Sequence, residues 1–83
     1  MAVVEGPAAS VAELTALVRE AWALALGHDR FEDGDFFFSV GGTSLSALKV
    51  SAHLSARLGR KVPVRQVFTS QSVTALAHHL ATA

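Results

Sequence analysis

The sequence predicts an all-α fold, a small four-helix bundle of three main helices, one short helix and a long first loop. Three observations lead there. Apolar residues recur at helical spacing in three separate stretches. No strand-like alternation of apolar and polar residues persists anywhere. Gly27 and Gly59 stand where two of the helical patterns stop. The 83 residues are enough for one small domain, near the size at which a core stabilises a fold only marginally. At 51% hydrophobic, the chain has ample material for that core and does not have the composition of a disordered segment.

Residues 1–9 read as a flexible lead-in of small residues, with the folded domain over 10–83. Ser10 followed by Glu13 has the spacing of a capping box. Leu14, Leu17, Val18, Ala21, Trp22 and Ala25 then repeat at helical intervals, so a first helix is expected over 11–26. The stretch 28–43 is a long connection, and a loop of that length in a compact domain is either functional or pinned to the core. Phe36, Phe37 and Phe38 are the natural pins, and at least two of them are expected to be buried. A second helix is expected over 44–58. Pro63 opens a short third helix carrying Val64, Val67 and Phe68. Ser72 caps a last helix with Val73, Leu76, Ala77 and Leu80 on one face.

Composition removes several function classes. The longest apolar run, residues 21–26, is far too short to span a bilayer. The first residues lack a basic region and are interrupted by Glu5, unlike a secretory signal. With no cysteine there is no disulfide, no cysteine metal site and no intrinsic thiol nucleophile. A cytoplasmic, monomeric protein without membrane attachment is expected. Met1 and the absence of tag-like flanks favour a free-standing protein over a domain excised from a larger enzyme. All seven acidic residues precede Phe36 alongside only Arg19 and Arg30, whereas Lys49, Arg57, Arg60, Lys61 and Arg65 follow it with no acid. The two parts thus carry −5 and +5. Such blocks are either solvated faces or patches that steer partners. A net charge of zero argues against nucleic-acid binding by a helix-turn-helix-like bundle, which relies on phosphate neutralisation. His78 and His79 are adjacent and diverge on a helix, and His28 and His53 lack carboxylates at ligand spacing, so no metal site is expected.

The informative run is Asp35-Phe36-Phe37-Phe38-Ser39-Val40-Gly41-Gly42-Thr43-Ser44-Leu45. A serine at the start of a helix is commonly an N-cap, and paired glycines are commonly a turn. The other possibility is a hydroxyl presented at a helix mouth, where free N–H groups and the helix dipole favour a phosphate. The wider pattern bears on that choice. Gly41-Gly42-Thr43-Ser44-Leu45 resembles the attachment motif of carrier proteins, in particular the peptidyl carrier (thiolation) domains of nonribosomal peptide synthetases. Trp22 with Leu26-Gly27, Asp35 with Phe37-Phe38, and Pro63, Val64, Val67 and Phe68 match further elements of those domains in order, over roughly residues 14–80.

The resemblance implies an acyl carrier protein-like bundle with no catalytic activity of its own. It implies a 4′-phosphopantetheine arm, derived from coenzyme A, on Ser44, with Gly41, Gly42 and Thr43 flanking the attachment point. Its implied partners are a phosphopantetheinyl transferase, an adenylation enzyme, and condensation, thioesterase or tailoring enzymes. Its implied cargo is an aminoacyl or peptidyl thioester. An acyl carrier for polyketide or fatty-acid chemistry, or an unmodified docking module, are the alternatives. Thr43 stands where His or Asp is more familiar and Phe36 where a second acid is common, which leaves the downstream partner open. The second helix holds Lys49, His53 and Arg57 and no acid, which tilts toward the peptidyl class.

On a wheel of that helix, Ala47, Val50, Leu54 and Leu58 make the core stripe, and Lys49, His53, Arg57 and Arg60 a cationic one. Leu45, Leu48 and Ala52 form a further apolar stripe beside Ser44. It either packs beneath the 28–43 loop or is an exposed contact patch for partner enzymes, with Lys49 and Arg57 on its rim.

Overall fold

The structure is a computed structural model that describes residues 10–82; the expected lead-in over 1–9 lies outside the described residues. Four helices follow in order, α1 (Val11–Leu26), α2 (Ser44–Leu58), α3 (Val64–Ser70) and α4 (Val73–Thr82), with a 3-10 turn at Phe37–Val40 before α2. No strand occurs among the described residues, so the expected all-α bundle is what the chain forms. None of the helices is long and apolar enough to cross a membrane.

Local chemistry sets each boundary. Ser10 Oγ accepts the Glu13 N–H at 3.1 Å and Glu13 Oε1 accepts the Ser10 N–H at 2.8 Å, completing the expected capping box of α1. Gly27, left-handed at φ 79°, closes that helix by donating its N–H to the Ala23 carbonyl. Ser72 Oγ accepts the Ala75 N–H at the head of α4. Pro63 is the residue before α3 and not its first helical one, with extended ψ 144°. Between α2 and α3 the chain is held by α2 hydroxyls: Ser51 Oγ donates to the Val62 carbonyl at 2.6 Å, and Ser55 Oγ accepts the Val62 N–H at 2.8 Å.

α1 packs against α4 and α2, while α3 bridges α2 and α4. The core takes Leu14, Val18, Ala21 and Trp22 from α1, Ala47, Val50 and Leu54 from α2, and Val73, Leu76, Ala77 and Leu80 from α4. The core stripes read from helical spacing on α1, α2 and α4 are therefore the faces that are buried, with Leu17, Ala25 and Leu58 half-buried at their edges. Trp22 is the hub, with its ring centroid 5.3 Å from that of Phe31 and 5.0 Å from that of Phe37.

The phenylalanine run behaves differently from the expectation that two of the three are buried. Phe37 is 1% exposed, but Phe36 is 60% and Phe38 51% exposed. The 3-10 turn has about three residues per turn, so consecutive side chains diverge and one position alone can face the core. Phe38 lies instead on the surface, stacked on Phe68 of α3 with centroids 5.9 Å apart and planes within 7°.

Four contacts hold the 28–36 stretch and its 3-10 turn. The Phe37 N–H donates to the Gln71 carbonyl at 2.7 Å, and the Thr74 N–H to the Asp33 carbonyl at 3.0 Å. His28 Nε2 lies 2.9 Å from the Val40 carbonyl, and Arg19 pairs with Asp33 at 2.6 Å. Phe37→Ala is expected to cost about 3–5 kcal/mol, as for a buried aromatic. Phe38→Ala is expected to cost no more than about 1.5 kcal/mol, the value of an aromatic pair. Urea unfolding of the two variants measures both, and equal losses would contradict this division of labour.

Candidate functional site

Gly41 and Gly42 are both demanded by geometry, for different reasons. Gly41 has φ 103°, a left-handed conformation that closes the 3-10 turn and that side chains disfavour. Gly42 donates its N–H to the Phe37 carbonyl at 3.0 Å. A Cβ at 42 would fall 2.4 Å from the Phe37 ring and 2.6 Å from its carbonyl oxygen, so the backbone must pass there bare. The chain reaches the mouth of α2 directly from the most deeply anchored point of the loop.

The helix begins at Ser44, but its cap is Thr43, extended at φ −133° and ψ 173°. Thr43 Oγ1 accepts the Ser46 N–H at 3.1 Å, and Ser46 Oγ accepts the Thr43 N–H at 2.7 Å. Ser46 Oγ also donates to the Thr43 carbonyl at 3.1 Å. This reciprocal box disposes of two of the donors that a helix start leaves without partners. The sequence reading gave Ser44 the choice between capping and presentation. The capping work falls to Thr43 and Ser46, and Ser44 is exposed with no hydrogen-bond partner for its hydroxyl among the described residues. Ser46 went unnoticed in the sequence, although the Thr-x-x-Ser spacing of 43 and 46 parallels that of Ser10 and Glu13.

Beside Ser44, Leu45 is 65% and Leu48 53% exposed, and Ala52 and Lys49 are exposed with them. The stripe is thus not packed beneath the 28–43 loop. The cationic stripe is mostly engaged within the bundle. Arg57 Nη1 pairs with Glu20 Oε2 of α1, and His53 Nε2 meets the same oxygen at 3.0 Å. Arg60 donates to the Leu80 carbonyl near the end of α4 at 2.9 Å, a cation placed where the helix dipole favours one. Lys49 alone of the stripe has no such contact among the described residues. The carboxylate that meets His53 comes from a neighbouring helix, which spacing along the sequence did not show. No group of His, Asp and Glu among the described residues could hold a metal ion.

The Ser44 region suits a phosphodiester. The N–H groups of Ser44 and Leu45 belong to the first turn of a 15-residue helix and have no helical acceptor, and that turn contains no acidic residue. A phosphate on the Ser44 oxygen would meet donors and the positive end of the dipole without a repelling carboxylate.

Comparisons with known proteins identify the family. The family model described as "Phosphopantetheine attachment site" matches residues 16–80. The nonribosomal peptide synthetase ungA′ of Aspergillus campestris is 43% identical over 68 residues, covering 80% of this chain and 1% of that protein. The PKS-NRPS hybrid synthetase acdB of Aspergillus candidus is 35% identical over 68 residues, covering 82% of this chain and 3% of that protein. The chain therefore spans only a few hundredths of the length of these relatives. Among solved structures, BlmI, a type-II acyl-carrier-protein from Streptomyces verticillus, superposes with a TM-score of 0.81 at 21% identity over 87% of each chain, a likeness of fold. A structure of the phosphopantetheine transferase Sfp in complex with coenzyme A and a peptidyl carrier protein matches with a TM-score of 0.77 at 27% identity, covering 94% of this chain and 97% of that one. With its bundle, its paired glycines and the serine at the mouth of α2, this chain belongs to the phosphopantetheine attachment-site family, carrier domains whose prosthetic group is 4′-phosphopantetheine.

Proposed function

We propose that the chain is a peptidyl carrier, bearing its arm on Ser44 and holding an aminoacyl or peptidyl group as a thioester on the arm's thiol. The observation that carries this is the exposed Ser44 hydroxyl, without a hydrogen-bond partner among the described residues, at the start of α2 behind Gly41-Gly42. In the modification step, Ser44 Oγ attacks the pantetheine-bearing phosphorus of coenzyme A. The Oγ–P bond forms, the pyrophosphate P–O bond breaks, and 3′,5′-adenosine bisphosphate leaves. The Ser44 proton passes to a base of the transferase. Gly41 and Gly42 contribute by keeping the approach to that oxygen narrow in backbone and free of bulk, and Thr43 by capping the helix in place of Ser44. The acid, base and metal belong to partners, and the carrier supplies a hydroxyl and a surface.

Peptidyl cargo is supported by the synthetase relatives and by a second helix without any acidic residue. Thioester loading then falls to an adenylation enzyme, in the cytoplasm where such intermediates are made. Leu45, Leu48 and Ala52, with Lys49 on the rim, form the docking patch for the transferase and the loading enzyme. Arg57 acts there only as far as its tie to Glu20 allows. Small apolar contacts with fast release suit a protein that visits several enzymes in turn.

Ser44→Ala removes no cap, so it should keep stability within about 0.5 kcal/mol and accept no arm. Intact mass after incubation with coenzyme A, Mg²⁺ and a broad-specificity transferase reads this, and an arm on the alanine variant would discard the site. Leu48→Asp, at an exposed position, should slow arm transfer or loading while the thermal midpoint stays put; an unfolded variant would return Leu48 to the core. For the cargo, thioester formation on the modified protein should be faster with adenylation enzymes than with a malonyl-type acyltransferase. The opposite order would place the protein in polyketide chemistry.

A further inference from the structure

We infer that Thr43 and Ser46 are positioning residues for arm attachment, holding α2 in the one frame that leaves the Ser44 hydroxyl free to react; this rests on Ser44 being the attachment point. A helix that opens Thr-Ser-Leu-Ser-Ala has two neighbouring ways to start. In the first, Thr43 is the cap, its hydroxyl accepts the Ser46 N–H, and Ser44 is the first helical residue. In the second, the helix starts one residue later, Ser44 is the cap, and its own Oγ accepts the Ala47 N–H. Serine and threonine are comparable caps, so intrinsic preference alone does not separate the two frames. The second ties the nucleophile into the backbone and turns its lone pairs toward the helix.

The structure shows what decides between them. Ser46 is the only polar side chain buried among the described residues, at 8% exposed. Its hydroxyl is committed on every side to Thr43, accepting from the Thr43 N–H at 2.7 Å, donating to the Thr43 carbonyl at 3.1 Å and lying 3.2 Å from Oγ1. The Ala47 N–H is already taken by the Thr43 carbonyl at 2.9 Å. Leaving this frame would strand a buried hydroxyl and release both halves of the box, a penalty a surface cap lacks. The box therefore acts on the reaction through Ser44, which it does not touch by hydrogen bond.

Buried Ser46 also makes the inference testable, because a transferase docked on the surface cannot reach it. Arm transfer from coenzyme A is followed by intact mass under saturating and sub-saturating carrier for the wild type, Thr43→Ala, Thr43→Ser, Ser46→Ala and Ser44→Ala. Leu58→Ala, at the far end of α2, serves as a variant weakened away from the site. Thr43→Ala and Ser46→Ala should each lower kcat about three- to thirtyfold, the population change that loss of a cap corresponds to, with KM within about twofold. Thr43→Ser, which keeps the hydroxyl, should restore the rate, and Leu58→Ala should retain it. Amide exchange gives a readout independent of transfer: protection of the Ser46 N–H should fall in Thr43→Ala and return in Thr43→Ser. Unaltered rates in Thr43→Ala and Ser46→Ala, with Ser44→Ala taking no arm, would overturn the positioning role and leave the attachment site standing. A rise in KM alone would make Thr43 a partner contact and overturn it equally. Arm transfer to Ser44→Ala would remove the reading on which the inference rests. If Ser46→Ala does not fold, the Thr43→Ala and Thr43→Ser pair decides.

Discussion

Phe37 reaches the core from a surface turn and brings with it the segment that ends at Ser44. Its ring lies against Trp22, its N–H is bound to the Gln71 carbonyl, and its own carbonyl accepts the Gly42 N–H. The ring also occupies the space that a Cβ at 42 would need. The direction in which the chain enters α2 is thereby set by a residue seven positions before the serine. A presented hydroxyl on an ordinary loop would sample many directions. Here, five residues separate Phe37 from the cap at Thr43, and the bond from the Gly42 N–H back to the Phe37 carbonyl closes that span on itself, so little freedom remains.

That anchor depends on α3 and α4 as much as on α1. Gln71, which receives the Phe37 N–H, is the one described non-glycine residue with positive φ, at 68°, and it ends α3. A side chain held in that conformation is mildly unfavourable, tolerated when the surroundings determine it. Its carbonyl has a fixed partner, and the Thr74 N–H of α4 meets the Asp33 carbonyl close by. The long loop is therefore stitched to the junction of α3 and α4 by backbone bonds, to α1 by Phe31 on Trp22 and Asp33 on Arg19, and across itself by His28 on the Val40 carbonyl. For a domain of this size, where net stability is a small difference of large terms, a loop tied at several points resists local opening better than one held by a single contact.

The four helices were legible in the sequence because each carries its own punctuation. Ser10 with Glu13, Gly27, Gly59 and Ser72 act within a few residues of themselves, and the apolar stripes of α1, α2 and α4 need only a helical period to be read. What was less legible depended on contacts between elements. Nothing local in three consecutive phenylalanines says which one enters the core; the 3-10 turn decides, and that turn is set by Gln71 and Gly41. Of the cationic stripe read on α2, Arg60 lies past the Gly59 cap and outside the helix, bound to the Leu80 carbonyl from α4, and Glu20 from α1 claims much of the rest. Spacing within α2 cannot reveal those partners. At the candidate site, the serine and its glycines stood out by motif. The division of labour between Thr43 and Ser44 was missed because both residue types are good caps.

The opposed charges of the two halves of the chain acquire a meaning from the same contacts. Glu20 belongs to the acidic part and Arg57 and His53 to the basic part, and they meet where α1 packs on α2. Exposed pairs of this kind contribute little to stability, about 0–1 kcal/mol. Their geometric effect is larger than their energy, because they draw cationic side chains toward α1 and away from the Leu45–Leu48 edge. That edge keeps its apolar character beside a single described free cation, Lys49. Charge within the fold thus shapes the surface next to Ser44 by subtraction. An apolar patch with few fixed charges discriminates weakly between partners of different potential, a restraint that under the proposed function would suit a carrier accepted by several enzymes.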